Sequence, residues 1–458
     1  MHTGLSTLGI DIGTTKVAAV IVNTSKSGTL SRDGLAVSSK AHLADIETES
    51  GFSEQNVEVL LETAGSVVRE LPKRLRATVE AVGVTGQMHG VVVLGEHLQS
   101  AGPLITWQDK RCLEGSFLDV LRTRTGYAIS SGFGCATLAW LIEKRQLPAS
   151  ARSACSIGDL LAARLCGSDR PVTDPTDAAG WGLFDLKKLN WDFKAAQSVG
   201  LSGELLPAVV PCGSKVGTVC RDMAEDLGIP AGIAVAAAIG DNQASLLATL
   251  TDPEHELALT LGTGGQLSAV MPSPANLPDV PTKSNMETKY ELRPFTGGRY
   301  VVVAASLCGG SAWSWLAESV ERWLADLNLN PPPRDRLYER LNELGAKAVR
   351  ELAVKPHFLG ERYDSSLRGS VSGIDMANFD LGQLAHGLAG GIIENLRDML
   401  PEFAMAGRSG VVCSGNALRQ NPLLQQAAGE VLGMPVRLSG LQEEAACGAA
   451  LNAAPHVG

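Results

Sequence analysis

The chain has no closely spaced cysteine pair, no long apolar run and no excess of basic charge. Its nine cysteines are scattered without a CxxC, which argues against a zinc framework and reads as reduced thiols in a cytoplasmic protein. No apolar stretch approaches the roughly 18 residues that a membrane-spanning helix needs. Met1 to Thr7 lack both the basic and the apolar part of a secretory leader. A net charge of −10 sets aside nucleic acid and anionic membranes as main partners, because both demand a basic face. Familiar signatures are missing as well: there is no GxxxxGK[ST], no GxSxG and no HExxH, and Gly132 to Thr137 (GFGCAT) only grazes GxGxxG.

What is present is glycine without period, 50 in 458 residues, as expected of tight turns and close backbone approaches in a chain too long for one core. Leu8 to Val22 (LGIDIGTTKVAAVIV) reads as strand, Gly-Thr-Thr turn, strand, and Glu256 to Val270 (ELALTLGTGGQLSAV) repeats that form in the second half. Residues 54–71 space their apolar side chains as a helix does, and Ala81 to Gly86 is a further strand. This alternation indicates an α/β architecture. The repeat indicates a duplicated unit, with a boundary near 245–256 and a ligand cleft between the halves. Asn330 to Arg336 reads as an exposed proline-rich connection. Asn421, Pro422 and Gly433 bracket a helix as cap, first residue and exit.

Six stretches carry chemistry. The amides and hydroxyls of Gly13, Thr14 and Thr15, with the charge of Lys16, suit an anion, and Asp11 at the strand end suits a hydrated Mg²⁺; a plain β-hairpin would use the same turn. Gly262, Thr263 and Gly264 form the companion turn, so that the two would clamp a phosphate. Asp241 and Asn242 follow an apolar strand at a helix N-terminus, where a carboxylate is expected to stay ionised and to accept a hydroxyl proton, or simply to cap the helix. Gln87, Met88 and His89 interrupt an apolar run, either to meet a small polar ligand or as a structural histidine at a strand end. Trp107, Asp109 and Arg111 alternate in LITWQDKRC and, if extended, face one way as a polyhydroxylated substrate would require, or else lie in an exposed loop. In CSGNALRQNP, Gly415 would let a flat ring approach the backbone and Asn416 would hydrogen-bond it, or the segment is a bare turn.

Together and in this order, GVTGQMHG, TWQDKRC, IGDNQAS, LGTGG, LGERYDSSLRG and SGNALRQNPLLQQAAGEVLGMPV resemble the FGGY family of carbohydrate kinases over nearly the whole chain. LITWQDKRC, SGFGCAT, ARLCG, AAGWGLF and VAASLCGG are most similar to its sedoheptulose-phosphorylating branch. The resemblance implies two actin-like ATPase (ribonuclease H-like) α/β domains with an interdomain cleft: residues 1–248 on the sugar side and 249–458 on the nucleotide side. It implies ATP as co-substrate with Mg²⁺ and transfer of a phosphoryl group to a ketose's terminal hydroxyl. By position, Asp241 matches the catalytic base and Asp11 the carboxylate near Mg²⁺. Gly13, Thr14, Thr15 and Lys16 match the first phosphate turn, and Gly262, Thr263 and Gly264 the second. Gly309, Gly310, Gly415 and Asn416 match nucleotide-side segments. Gln87, Met88, His89, Trp107, Asp109 and Asn242 match the sugar pocket. The resemblance leaves open a homodimer, and also a xylulokinase-like or other ketose or polyol kinase. A non-catalytic sugar or ATP sensor is the contrasting class, against which Asp11 and Asp241 speak. Two departures stand out: Lys16, where many relatives have a small residue, and Tyr363-Asp364, where many have Thr-Pro.

Overall fold

A computed structural model of the protein describes residues 5–24, 30–272 and 288–456. The leaderless reading of Met1 to Thr7 thus falls partly outside the described residues. The first half builds strands β1 (Leu5–Ile12), β2 (Lys16–Thr24), β3 (Leu30–Ala41), β4 (Ala81–Gly86), β5 (Lys215–Thr218), β6 (Ala234–Ala236) and β7 (Ile239–Gly240). They form one sheet in the order β5-β6-β4-β1-β2-β3, with β7 alongside the end of β4. The second half builds β8 (Glu256–Leu261), β9 (Gly265–Met271), β10 (Tyr290–Pro294), β11 (Tyr300–Ser306), β12 (Gly410–Ser414) and β13 (Val436–Leu438), in the order β10-β11-β9-β8-β12-β13. In both sheets a central hairpin, β1/β2 or β8/β9, is flanked by an antiparallel strand on one side and a parallel strand on the other. Duplication is therefore written into the topology, and the fold is the two-domain α/β architecture that the resemblance implied.

Helix α1 (Val57–Glu70) starts where the Asn56 side chain accepts the Val59 N–H, and it buries Leu60, Ala64, Val67 and Val68 on the first sheet. Helix α2 (Ile157–Cys166) joins the same core through Ile157, Leu160 and Leu161. Residues between β4 and β5 add a separate core around Ile105, Ile129, Trp140, Trp181 and Trp191.

Two helices are exchanged between the halves. Helix α3 (Asp241–Thr249) leaves the first sheet at β7 but lays Leu246 on Val270, Val301, Val303 and Val412 of the second. Later come α4 (Gly310–Asp326), α5 (Leu381–Met399), α6 (Asn416–Gln420), α7 (Pro422–Leu432) and α8 (Glu444–Ala453). Helix α8 follows the second sheet, yet it packs Ala446, Cys447 and Ala450 against Ala18, Val20 and Val22 of the first. Residues 250–255 connect α3 to β8, within the stretch expected as a boundary, and packing crosses this connection in both directions.

Small residues allow this exchange. A Cβ on Gly448 of α8 would stand 1.8 Å from the Ala244 carbonyl oxygen of α3, and one on Gly83 of β4 would stand 1.8 Å from the Ala449 carbonyl oxygen. Two expectations change in detail. The proline-rich connection is shorter than expected, since Arg334–Lys347 is already helical. Asn421 stands at the cap of α7, but its Oδ1 accepts from Trp313 Nε1 at 2.8 Å and makes no capping bond.

Gly448→Val should lower the thermal unfolding midpoint by the equivalent of at least about 1–3 kcal/mol, because the obstructing atoms are backbone and cannot step aside. A melting curve matching the parent's would show that the α3–α8 contact is not rigid.

Candidate active site

The carboxyl ends of three parallel strands meet side by side. Ile12 of β1 and Gly240 of β7 both pair with Gly86 of β4. Three loops therefore emerge together: the turn from Gly13 to Lys16, the segment Gln87-Met88-His89, and the start of α3 at Asp241. Ligands of open α/β sheets bind at such strand ends.

Two carboxylates lie at this junction. Asp11 Oδ1 is buried and has no hydrogen-bond partner among the described residues. Burial, then the negative charges of Asp241 and Glu443, lift the Asp11 carboxyl to about 7, against the pull of Lys16. Burial also raises Asp241, opposed by the Asn242 backbone N–H, which donates to Oδ1 at 2.6 Å, and by the charge of Arg293. The sequence reading had the helix terminus holding this carboxyl down. Removal from water outweighs that effect, and Asp241 is the first residue of α3, with Gly240 in the cap position.

His89 adopts a left-handed backbone (φ +72°), and its ring stacks on Phe133 with centroids 4.6 Å apart and an interplanar angle of 4°. Its Nδ1 meets the Gly180 carbonyl. A carbonyl only accepts, so Nδ1 carries the proton and Nε2 presents a lone pair. Burial, helped by the charge of Arg293, lowers the imidazole to about 4 and keeps it neutral near pH 7.

A cavity of about 360 Å³ opens between the halves. Met88, His89, Phe133 and Gly180 line it from the first, Glu291 and Arg293 from the second. Burial would raise the Glu291 carboxyl, but Arg293 and Arg362 hold it near about 2. The cavity thus sets a few charged groups among mainly apolar, aromatic and thioether walls, which suits a small molecule with polar groups at defined positions.

At the matching end of the second sheet, the turn Gly262 to Gly264 stacks on the opening of α4. The Gly309 N–H donates to the Thr263 carbonyl at 3.0 Å, and the Gly310 N–H to that of Gly262 at 2.7 Å. Gly415 has φ +88°, and a Cβ there would lie 2.4 Å from the Leu261 carbonyl oxygen. Glycine at 415 is therefore required by the neighbouring strand, where the sequence reading had reserved the space for a ring. Asn416 is exposed at the start of α6. Two contacts tie the sides together: Asn242 Nδ2 donates to Gln266 Oε1 at 2.7 Å, and Lys16 Nζ lies 2.7 Å from Glu443 Oε1.

Residues 6–248 match the N-terminal domain, and residues 257–456 the C-terminal domain, of the FGGY family of carbohydrate kinases. The chain belongs to this family. It is 32% identical to human sedoheptulokinase over 97% of this chain and 96% of the human one, and equally similar to the mouse enzyme. A glycerol kinase of Gloeobacter violaceus is 27% identical over 97% of this chain and 87% of its own. Among solved structures, a xylulose kinase from Brucella ovis superposes with a TM-score of 0.79 at 23% identity, covering 99% of this chain and 90% of that one. A gluconate kinase from Lactobacillus acidophilus gives 0.78 at 20%, covering 98% and 88%. These two show the fold. The protein is a sugar kinase, and kinases of this family use ATP as co-substrate.

In this FGGY kinase the expected sugar-side residues divide. Met88 and His89 line the cavity. Gln87 is 2% exposed, and its Nε2 donates to Gln55 Oε1 at 2.8 Å. Gln55 in turn donates to the Thr14 carbonyl at 2.9 Å, and His42 Nε2 lies 2.8 Å from the same oxygen. Gln87 therefore braces the turn from Gly13 to Lys16 through Gln55. Trp107 does likewise, its Nε1 donating to Thr14 Oγ1 at 3.0 Å. The extended geometry expected for Trp107 to Arg111 is not found. Residues 107–108 form a turn and Arg111–Leu113 a short 3-10 helix, so the three side chains do not share a face. Asp109 is 1% exposed, with Oδ1 taken by Arg111 N and Nε and Oδ2 by Arg111 Nη2 and Ser53 N. A guanidinium two residues away is a stronger partner than a sugar hydroxyl, and it turns this carboxylate inward.

Sequence reasoning missed Gln55, His42, Arg293 and Glu361. Glu361 is 1% exposed; it accepts from Ser306 Oγ at 2.8 Å and Asn395 Nδ2 at 2.7 Å, and so fixes the strand end before Gly309. The unusual Tyr363 lines the cavity between the halves, with Lys289 over its ring at 5.6 Å.

The folded His89 imidazole takes up its proton at lower pH than it would in the unfolded chain. Its contribution to stability is therefore complete above about 6.5 and is lost as pH falls toward 4. His89→Gln should reduce the drop in thermal midpoint between pH 7.5 and pH 5.0 relative to the parent. An identical drop in both proteins would mean that His89 is not buried neutral.

Proposed function

We propose that this kinase transfers the γ-phosphoryl group of ATP to the terminal hydroxyl of sedoheptulose, giving sedoheptulose 7-phosphate, with Asp241 as the base. The observation that carries the chemistry is that Asp11 at the end of β1 and Asp241 just after β7 flank the end of β4, with the charge of Asp241 felt at Asp11, while Met88 and His89 of the loop after β4 line the cavity. The choice of a seven-carbon ketose is supported by similarity to sedoheptulokinases along nearly the full length of both chains.

The sugar enters the cavity, where Met88 lies against its carbon skeleton and His89 Nε2 accepts from a hydroxyl. Buried polar groups discriminate well here, since a sugar lacking the matching hydroxyl leaves them unpaired. The terminal hydroxyl turns toward Asp241, which orients it and takes its proton as the hydroxyl oxygen bonds to the γ-phosphorus and the bond from that phosphorus to the β-phosphate oxygen breaks, releasing ADP. Burial raises the affinity of this carboxylate for that proton. The turns at Gly13–Lys16 and Gly262–Gly264, with Gly309, Gly310, Gly415 and Asn416 behind them, receive the nucleotide. Closure of the halves excludes water that would compete for the phosphoryl group.

The residues present fit Mg²⁺: a buried carboxylate oxygen without a partner, and a carboxyl held up to about 7 until a cation compensates it. Asp11 would hold the ion, directly or through water, with phosphate oxygens completing its shell. When bound, Mg²⁺ neutralises charge developing on the transferred group.

Asp241→Asn should lower kcat by at least about 10²–10⁴-fold, the range of a lost general base, while MgATP binding persists. In a panel of sedoheptulose, xylulose, ribulose, gluconate and glycerol with coupled ADP detection, sedoheptulose should give the highest kcat/KM. Near-parent turnover by the variant would overturn the role of Asp241, and a higher kcat/KM for another substrate would overturn the choice of sugar.

A further inference from the structure

The backbone that presents Asp241 is clamped by two buried threonines. Thr85 Oγ1 donates to the Ile239 carbonyl at 2.6 Å, and Thr176 Oγ1 accepts the Gly240 N–H at 2.9 Å. Both threonines are 0% exposed. The direction of the second bond is fixed, because an amide can only donate. The Thr176 hydroxyl must send its own hydrogen elsewhere, and it sends it to Asp174 Oδ1. Asp174 is 0% exposed, and the same oxygen also accepts the Thr176 N–H at 2.8 Å and the Asp177 N–H at 3.3 Å. Asp174 thus caps the short helix Pro175–Ala178 and sets the polarity of the hydroxyl within it.

The same segment reaches two other parts of the site. The Gly180 carbonyl accepts from His89 Nδ1. Gln243, in the first turn of α3 and 0% exposed, donates from Nε2 to the Thr176 carbonyl at 3.4 Å and to the Pro294 carbonyl at 3.2 Å. Residues 174–180 therefore hold the peptide before Asp241, the first turn after it and the tautomer of His89.

We infer that Thr176 is a positioning residue for phosphoryl transfer: through the Gly240 amide it fixes the direction in which Asp241 meets the sugar's terminal hydroxyl, and Asp174 orients Thr176 for that task. The inference rests on Asp241 being the base. Its signature is a loss of kcat without a matching rise in KM: Thr176 also lines the cavity, but a valine there keeps the shape of that wall while the reacting geometry is loosened.

The test compares Thr176→Val, which keeps the shape and deletes the hydroxyl, with Thr176→Ser, which restores it. Each is made in the parent and in the Asp241→Asn background, with thermal midpoints recorded for all. Thr176→Val should lower kcat by about 10–100-fold with the sugar KM within about 3-fold of the parent. Thr176→Ser should recover kcat to within about 3-fold, and Thr176→Val should cost nothing further once Asp241 is Asn. Parent-like kcat in Thr176→Val, a loss that serine does not restore, or an equal further loss in the Asp241→Asn background would each overturn the inference. Full turnover by Asp241→Asn alone would instead remove the base assignment on which it stands. If the valine variant does not fold, Thr176→Ala, which asks for no room for a second methyl, carries the same comparison.

Discussion

The register at which three parallel strands end beside one another is the constraint from which the site follows. Gly86 is the shared neighbour of Ile12 and Gly240, so the loops leaving β1, β4 and β7 have to emerge together. Side chains alternate along a strand, and a slip of one residue in any of the three would turn its functional group to the other face. Buried groups enforce this register: Leu8, Ile10, Val82 and Val84 are all within 1% of full burial. The chemistry is thereby tied to a hydrophobic core that has no contact with a ligand.

The exchange of α3 and α8 makes the two halves one mechanical system. Asp241 begins a helix whose apolar face belongs to the second sheet, so a movement of that sheet is felt at Asp241. Glu443, just before α8, meets Lys16 in the turn after β1. Close contact of backbones at Gly448 and Gly83 leaves little freedom at the axis between the halves, whereas the cavity itself is lined from both sides. That is the arrangement expected of an enzyme that closes around two substrates while keeping its pivot rigid.

Much of this was legible in the sequence, and the parts that were not share a cause. The repeated strand–turn–strand at Leu8 and Glu256 announces the duplication, because glycine-threonine turns between aliphatic runs are local signals. Met88, His89 and Asp241 stand at strand ends for the same reason. The braces of Thr14 were invisible: Gln55 sits in the short strand Glu54–Gln55, too brief for periodicity, and His42 lies just past the end of β3, and both reach the turn only through tertiary folding. Asp109 misled because its spacing from Trp107 and Arg111 suggested a shared face. The nearby guanidinium instead folded the segment into a turn. The ionisation of Asp241 misled in another way, since a helix terminus can be read from sequence but the loss of water around a carboxylate in the fold cannot.

The most direct test of the account is the structure of the enzyme with sedoheptulose and a non-hydrolysable ATP analogue bound together. The account places the sugar's terminal hydroxyl within hydrogen-bonding reach of the Asp241 carboxylate, about 2.6–3.2 Å, and on the side facing the nucleotide's outermost phosphorus. A terminal hydroxyl held elsewhere in the cavity, with Asp241 directed away from it, would contradict the account.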